Sequence, residues 1–210
     1  MRNLIIIGGG SYGREIYNLA LECKGYGTEF SIKGFVDNLY EYIEQKGYPP
    51  ILGKINEYVP TTDDVFVCAL MDVDFKKKYI DIIRSKGGEF INLIHKSASV
   101  WQNTQLGTGC IICDNVHVSC DVSIGNYVTI QTSSIIGHDC IIGDYSHLNC
   151  FSFLGGQCKI GEMVTVNTGA ILHPGKKAGN HSMIGAGAVV LKNVKDKKSV
   201  FGNPAEYIEF

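Results

Sequence analysis

The sequence predicts two architectures in series: an α/β half-domain of Rossmann type over residues 1–95 and a solenoid of stacked hexads over residues 96–194, closed by a short tail at 195–210. Three observations carry this expectation. The chain opens on an apolar β-branched run, Leu4 to Ile7, that ends in Gly8-Gly9-Gly10-Ser11-Tyr12-Gly13 and leads into residues of helical spacing. From Val100 onward an aliphatic side chain recurs at every sixth position, and glycine recurs one position after it.

The first unit is read strand by strand. Ile16, Leu19, Ala20 and Cys23 share one face of a helix over Arg14 to Cys23. A second strand is expected at Ile32 to Val36, a third at Val65 to Leu70, a helix around Phe75 to Ser85 and a short strand at Phe90 to Ile94. Gly8, Gly10 and Gly13 match GxGxxG, whose mechanics are a tight turn, close backbone approach to phosphate and a helix N-terminus facing the anion. Asp37 closes the second strand, where a carboxylate can reach a ribose hydroxyl. The same glycines would also serve simply to let helix and strand pack closely. Only one mononucleotide half is present, and a dinucleotide needs two, so a nucleotide diphosphate is expected in preference to NAD.

In the repeat, stepping by six from Val100 to Val190 meets fifteen branched aliphatics in sixteen positions, with Ala178 the exception, a run that chance does not supply. Gly107, Gly125, Gly137, Gly143, Gly155, Gly161, Gly179 and Gly185 follow the aliphatics, as expected where a corner is too tight for a β-carbon. Four residues after each aliphatic come small or slim side chains, among them Thr104, Cys110, Val116, Ser134, Cys140, Ser146, Cys158 and Ala170, suited to a narrow interior. Cysteines in that slot act as small hydrophobes.

Composition narrows the partners. A formal charge of -2 and 19% charged residues mark no nucleic-acid or anionic-lipid surface. The opening MRNLIIIGGG lacks the form of a signal peptide, and no stretch is long enough for a membrane span, so a cytoplasmic protein with reduced thiols is expected. Cys110 and Cys113 form a lone CxxC with no second pair of ligands to complete a zinc site. His117, His138, His147, His173 and His181 all differ in position modulo eighteen, so they do not converge in one column, and no metal is expected.

The period-six pattern resembles the hexapeptide-repeat acyltransferases, which implies a triangular prism, a left-handed parallel β-helix with three hexads per coil. Each residue then stacks on the one eighteen positions away at about 4.8 Å. In that register positions three and six of a hexad face outward, which places His138 and His147 on the outside. Acetyl transfer needs a base for the nucleophile's proton and a donor for the developing oxyanion. His138, beside Asp139, suits the first need, provided that the corner after Gly137 turns both toward one site. Gly156, eighteen residues on and preceded by Gly155, leaves open space and a reachable backbone N–H.

The opening GGGSYGRE, the segment SSIIGHDCIIGDYSH and the ending IGAGAVVLKNV with FGNPAEYI resemble the sialic acid O-acetyltransferase and bacillosamine-type amino-sugar N-acetyltransferase family along nearly the whole chain. The resemblance implies His138 as general base with Asp139 as its partner, and His147 and the Gly156 amide against the acetyl carbonyl of acetyl-CoA. It implies a nucleotide-sugar pocket lined by Gly8, Gly10, Ser11, Gly13 and Asp37, and a homotrimer with acetyl-CoA between adjacent helices. Gln131 stands where an asparagine near the sugar is expected, and Glu206 follows Asn-Pro-Ala where a lysine near the coenzyme is usual. The trimer also finds support in an apolar ladder of Ile111, Ile135, Ile141, Phe153 and Ile171. The expected activity is N-acetylation of a UDP- or dTDP-linked amino-deoxy sugar for cell-surface glycan synthesis, with sialic-acid-type O-acetylation and a non-catalytic nucleotide-sugar-binding protein as alternatives.

Overall fold

The computed structural model describes residues 1–39 and 47–208, and the chain divides into two compact units, Met1–Lys96 and Ser97–Phe210. In the first, β1 (Arg2–Ile7) leads through the glycine turn to α1 (Ser11–Leu21), followed by β2 (Phe30–Val36), β3 (Asp64–Cys68), α2 (Val73–Ser85) and β4 (Glu89–Phe90). The strands form a parallel sheet in the order β2-β1-β3-β4. Leu4 to Ile7 and Val65 to Val67 are wholly buried, as befits central parallel strands covered on both faces. The helix expected from Arg14 begins at Ser11, with Gly10 in extended conformation as its N-cap. The strand expected over Phe90 to Ile94 is instead two short pieces, Glu89–Phe90 and Leu93–Ile94; only the first pairs with β3, at Val65 and Phe66.

Gly8 has a φ of 103°, a backbone that favours glycine, and a β-carbon on Gly13 would overlap the Gly8 carbonyl oxygen. Gly13 therefore meets the close-packing role anticipated for these glycines. At the start of β3, buried Asp64 accepts from the Lys33 ammonium, the Tyr58 hydroxyl and the Thr61 N–H, each at 2.9 Å. Burial opposes ionisation of this carboxyl, but those hydrogen bonds prevail and hold it down at about 2.

The second unit is a parallel β-helix. Two-residue strands recur every six residues and stack into three sheets, each strand in register with the one eighteen positions on: Ile135 with Phe153, Ile141 with Lys159, His147 with Thr165. The aliphatic slots from Ile112 to Val190 are all buried, with the slot four residues later packed beside them.

The corner differs in detail from the expectation. The left-handed residue is the third after the aliphatic, as in Asn115 (φ 54°), Asp121 (59°), Asp139 (57°) and Phe151 (60°), and the glycines one position after the aliphatic are not left-handed. Those glycines are required by close approach of the next coil: a β-carbon on Gly137 would lie 2.6 Å from the Gly156 nitrogen, and one on Gly143 2.5 Å from the Gly161 carbonyl carbon. A non-glycine residue in left-handed conformation costs about 1–2 kcal/mol, a cost that coil-to-coil stacking offsets at every turn.

The apolar ladder is also narrower than expected. Ile135, Phe153 and Ile171 stack directly on one face and are each about two-fifths exposed, at 43%, 38% and 40%. Ile141 lies on a second face between Ser123 and Lys159, and Ile111 is buried on the third. At the end of the chain Ser199–Phe201 adds to the strand Met183–Ile184, and Glu206–Ile208 folds back against it. Phe210, expected to join this tail, lies outside the described residues. Among the described residues no helix is long and apolar enough to cross a membrane.

Candidate active site

Strand Ile135–Ile136 ends in the corner Gly137, His138, Asp139, Cys140. Adjacent residues in an extended chain point to opposite sides. The left-handed φ of Asp139 breaks that alternation and swings its carboxylate back, so that Asp139 Oδ2 lies 2.6 Å from His138 Nδ1. The hydrogen shared at Nδ1 leaves Nε2 as the nitrogen able to take a proton. Both side chains remain about half exposed, so a substrate can reach them.

Gly156 sits above the imidazole in the next coil. A β-carbon there would come within 2.5 Å of His138 Nε2, 2.7 Å of Cε1 and 2.9 Å of Cδ2, so only glycine admits the ring in this position. Its amide also carries no side-chain cap. At another corner the corresponding outward N–H groups are capped by Asn or Asp side chains eighteen residues on or close to it: Thr108 by Asn126, Asn126 by Asp144, Glu162 by Asn180, Asn180 by Asp196. Above Gly156 the residue eighteen positions on is Pro174, which offers no acceptor side chain. Among the described residues the Gly156 N–H donates to no protein group. An imidazole paired with a carboxylate, and an uncapped amide one coil away, are the parts that acyl transfer needs.

Two expected residues are placed elsewhere. His147 occupies an outward strand position but is fully buried, as are Ile111 and Thr129 on the same face. Its strand partners are Thr129 and Thr165, on a face that does not carry the His138 corner. An outward position is thus not the same as solvent exposure: on this face Ile111, Thr129 and His147 are buried in a row. Gln131 stands at a different corner, where its side-chain oxygen accepts from the Cys150 thiol at 3.2 Å, and Asn149 donates to Asn167 in the same column of amides.

In the first unit Gly10, Ser11, Gly13 and Asp37 line one cavity of about 330 Å³ with Phe75 and Tyr79, whereas Gly8 does not reach its wall. Asp37 Oδ2 accepts from the Gly9 N–H at 2.6 Å and Oδ1 from the Leu39 N–H at 2.7 Å, so this carboxylate shapes the glycine turn itself. Phe75 and Tyr79, stacked at 6.1 Å on α2, were missed in the sequence. The available signal was two aromatics four residues apart on an otherwise charged helix face. Glu206 and Lys192 line a second cavity of about 330 Å³ near the end of the helix, so a cation stands close to the position where one was expected and not found. Among the described residues no three His, Cys, Asp or Glu side chains converge as metal ligands, and all eight cysteines are free thiols.

Comparison with known proteins agrees with this arrangement. Residues 3–83 match the PglD N-terminal domain, and residues 121–156 match the bacterial transferase hexapeptide, six repeats. GDP-perosamine N-acetyltransferase of Escherichia coli O157:H7 is 30% identical over 140 residues, which is 64% of this chain and 62% of that protein, so the match spans less than two thirds of the curated relative. PerB from Caulobacter crescentus, solved in complex with CoA and GDP-perosamine, superposes with a TM-score of 0.87 at 26% identity over 100% of this chain and 98% of that one. The acetyltransferase domain of PglB from Neisseria gonorrhoeae, solved with acetyl coenzyme A, superposes with a TM-score of 0.89 at 26% identity over 99% of each chain. Residues 3–83 thus match the PglD N-terminal domain, and the chain as a whole, an α/β unit before a left-handed parallel β-helix, shares the architecture of these acetyltransferases.

Proposed function

We propose that this protein transfers the acetyl group of acetyl-CoA to the amine of a nucleotide-linked amino sugar. The observation that carries the reading is the His138–Asp139 pair beneath the uncapped amide of Gly156. The sugar amine attacks the thioester carbonyl carbon while His138 Nε2 takes the amine proton. The carbonyl oxygen gains negative charge and is held by the Gly156 N–H. Collapse of the tetrahedral intermediate breaks the carbon–sulfur bond, and the departing CoA thiolate recovers the proton from His138. Asp139 holds the ring in the tautomer that leaves Nε2 basic and balances the imidazolium while it lasts.

The cavity lined by Gly10, Ser11, Gly13 and Asp37 is the place for the nucleotide, with Phe75 and Tyr79 offering a face on which a base can stack. Gly8 supports that turn from behind. The protein acts as a homotrimer through the exposed Ile135, Phe153 and Ile171 ladder. His147 is given no part within one chain, because it is buried away from the His138 corner. Gln131 likewise lies at another corner, so any contact it makes with the sugar comes from a neighbouring chain.

The relatives' GDP-linked sugar adds GDP to the UDP and dTDP expected from the sequence. Release of CoA thiol is measured with UDP-, dTDP- and GDP-linked amino sugars, a free sialic acid and no acceptor. Turnover confined to the nucleotide amino sugars is expected. Turnover with the free sialic acid alone would shift the reading to O-acetylation, and none with any acceptor would leave a nucleotide-sugar-binding protein.

A further inference from the structure

The inward slot of the β-helix contains a repeated polar contact. Cys110 donates its S–H to the Gly125 carbonyl at 3.1 Å, Ser134 its O–H to Asn149 at 3.0 Å, Ser146 to Gly161 at 2.8 Å, and Cys140 to Gly155 at 3.2 Å. In each case a buried side chain meets, from inside the prism, the carbonyl of a corner peptide in the next coil. The only cis peptide among the described residues is Asn203–Pro204, so these peptides are trans. In a planar trans peptide the C=O and N–H point in opposite directions. An inward carbonyl held at its oxygen therefore fixes an N–H that faces outward.

At two of these corners this has no further consequence, because a neighbouring side chain caps the outward N–H: that of Asn126 is taken by Asp144 and that of Glu162 by Asn180. The peptide held by Cys140 is Gly155–Gly156, whose outward N–H is the uncapped one beside His138. Two adjacent glycines give this peptide more torsional freedom than any other corner of the helix. Without an anchor it could rotate and carry the donor away from the site.

We propose that Cys140 is a positioning residue for acetyl transfer: its buried thiol holds the Gly155 carbonyl, and so orients and polarises the Gly156 N–H that receives the oxyanion. The inference rests on the reading of the His138–Gly156 corner as the site of acetyl transfer. Hydrogen bonding at the carbonyl end of an amide strengthens donation from its N–H end, so the contact both aims and sharpens the donor. The thiol does not touch the substrate.

The molecule contains its own control. One coil on, Cys158 makes the same contact with the His173 carbonyl at 3.4 Å, but the next residue is Pro174, so that peptide has no N–H to present. Valine fits this column, since Val122 is buried in it one coil below Cys140. Cys140→Val, Cys140→Ser and Cys158→Val are compared by steady-state kinetics with acetyl-CoA and the accepted amino sugar. Cys140→Val is expected to lower kcat about three- to tenfold, the worth of one hydrogen bond, with KM for the nucleotide sugar unchanged. Cys140→Ser, which keeps a donor, is expected to restore the parent kcat, and Cys158→Val, which removes only a neighbour of the Cys140 thiol, to cost less than Cys140→Val. If Cys140→Val does not fold, Cys140→Ala removes the same donor without added bulk and is read in the same way. A parent kcat in the variant lacking the donor overturns the proposal, as does an equal loss in Cys158→Val. Failure of the underlying reading shows differently, as full activity in His138→Ala.

Discussion

The imidazole of His138 lies so close under the α-carbon of Gly156 that a β-carbon there would stand 2.5 Å from Nε2. What must yield to such a β-carbon is a half-exposed side chain and not the backbone. Gly156→Ala is therefore expected to displace the proposed base at little cost in stability, lowering kcat at least tenfold with a thermal midpoint within a few degrees of the parent, on the order of 1 kcal/mol. Gly143→Ala is the contrast, because its β-carbon would meet the Gly161 backbone at 2.5 Å. That variant is expected to lose about 2 kcal/mol of stability by overpacking. Thermal denaturation beside initial rates separates the two, and equal loss of stability in both would refute the distinction.

Removing the base itself has a larger effect. His138→Ala is expected to lower kcat by about 10²- to 10⁴-fold, with the fold intact because the side chain is outside the core. Asp139→Asn keeps a residue that tolerates the left-handed backbone and can still bond to Nδ1, so a milder loss is expected. Rates for the two variants, with circular dichroism to confirm folding, check the order. A His138→Ala enzyme near the parent rate would remove the general base from the mechanism.

The nucleotide cavity is tested through Phe75, which is 53% exposed and stacks on Tyr79. Phe75→Ala is expected to raise KM for the nucleotide sugar about tenfold with kcat nearly unchanged, the signature of lost binding away from the reacting atoms. A fall in kcat at constant KM would place the base of the nucleotide elsewhere.

Association is tested on the ladder. Phe153→Asp places a charge between Ile135 and Ile171, and is expected to convert a trimer to monomer in light scattering at micromolar concentration. A monomeric parent protein, or a variant that remains trimeric, would move the interface off this face.

Asp64 sets an acid limit to the stability of the first unit. Its carboxyl is held at about 2 in the folded chain, below the value near 4 of an unfolded chain. A depressed folded value contributes stability that is complete above about pH 4 and is lost as pH falls toward 2, worth about 2 kcal/mol in all. Asp64→Asn is expected to be less stable at pH 7 by about that amount, with the difference narrowing between pH 4 and 2. Urea denaturation across that range measures it, and a gap that does not change with pH would mean the hydrogen bonds from Thr61, Lys33 and Tyr58 do not depress the carboxyl.

The sequence by itself determined the two-part architecture and the column in which every β-helix residue stands. A period of six is a local signal, and eighteen-residue stacking converts it into three dimensions without any further choice. That is why the sequence alone pairs His138 with Gly156 and puts Cys140 and Cys158 in the interior. Tertiary structure alone decided what those neighbours do. The turn of Asp139 toward His138 depends on a left-handed φ that the repeat imposes on residues as different as Tyr127, Phe151 and Met163. The burial of His147 and Ile111 depends on one stretch of a face being covered, which a periodic pattern does not encode because inward and outward are not the same as dry and wet. The breadth of the apolar ladder depends on which face each isoleucine occupies, and that separates Ile141 from Ile135. The partner of Cys140 was beyond the reach of sequence for the same reason: a thiol in a narrow core reads as a small hydrophobe until the next coil places a carbonyl in front of it.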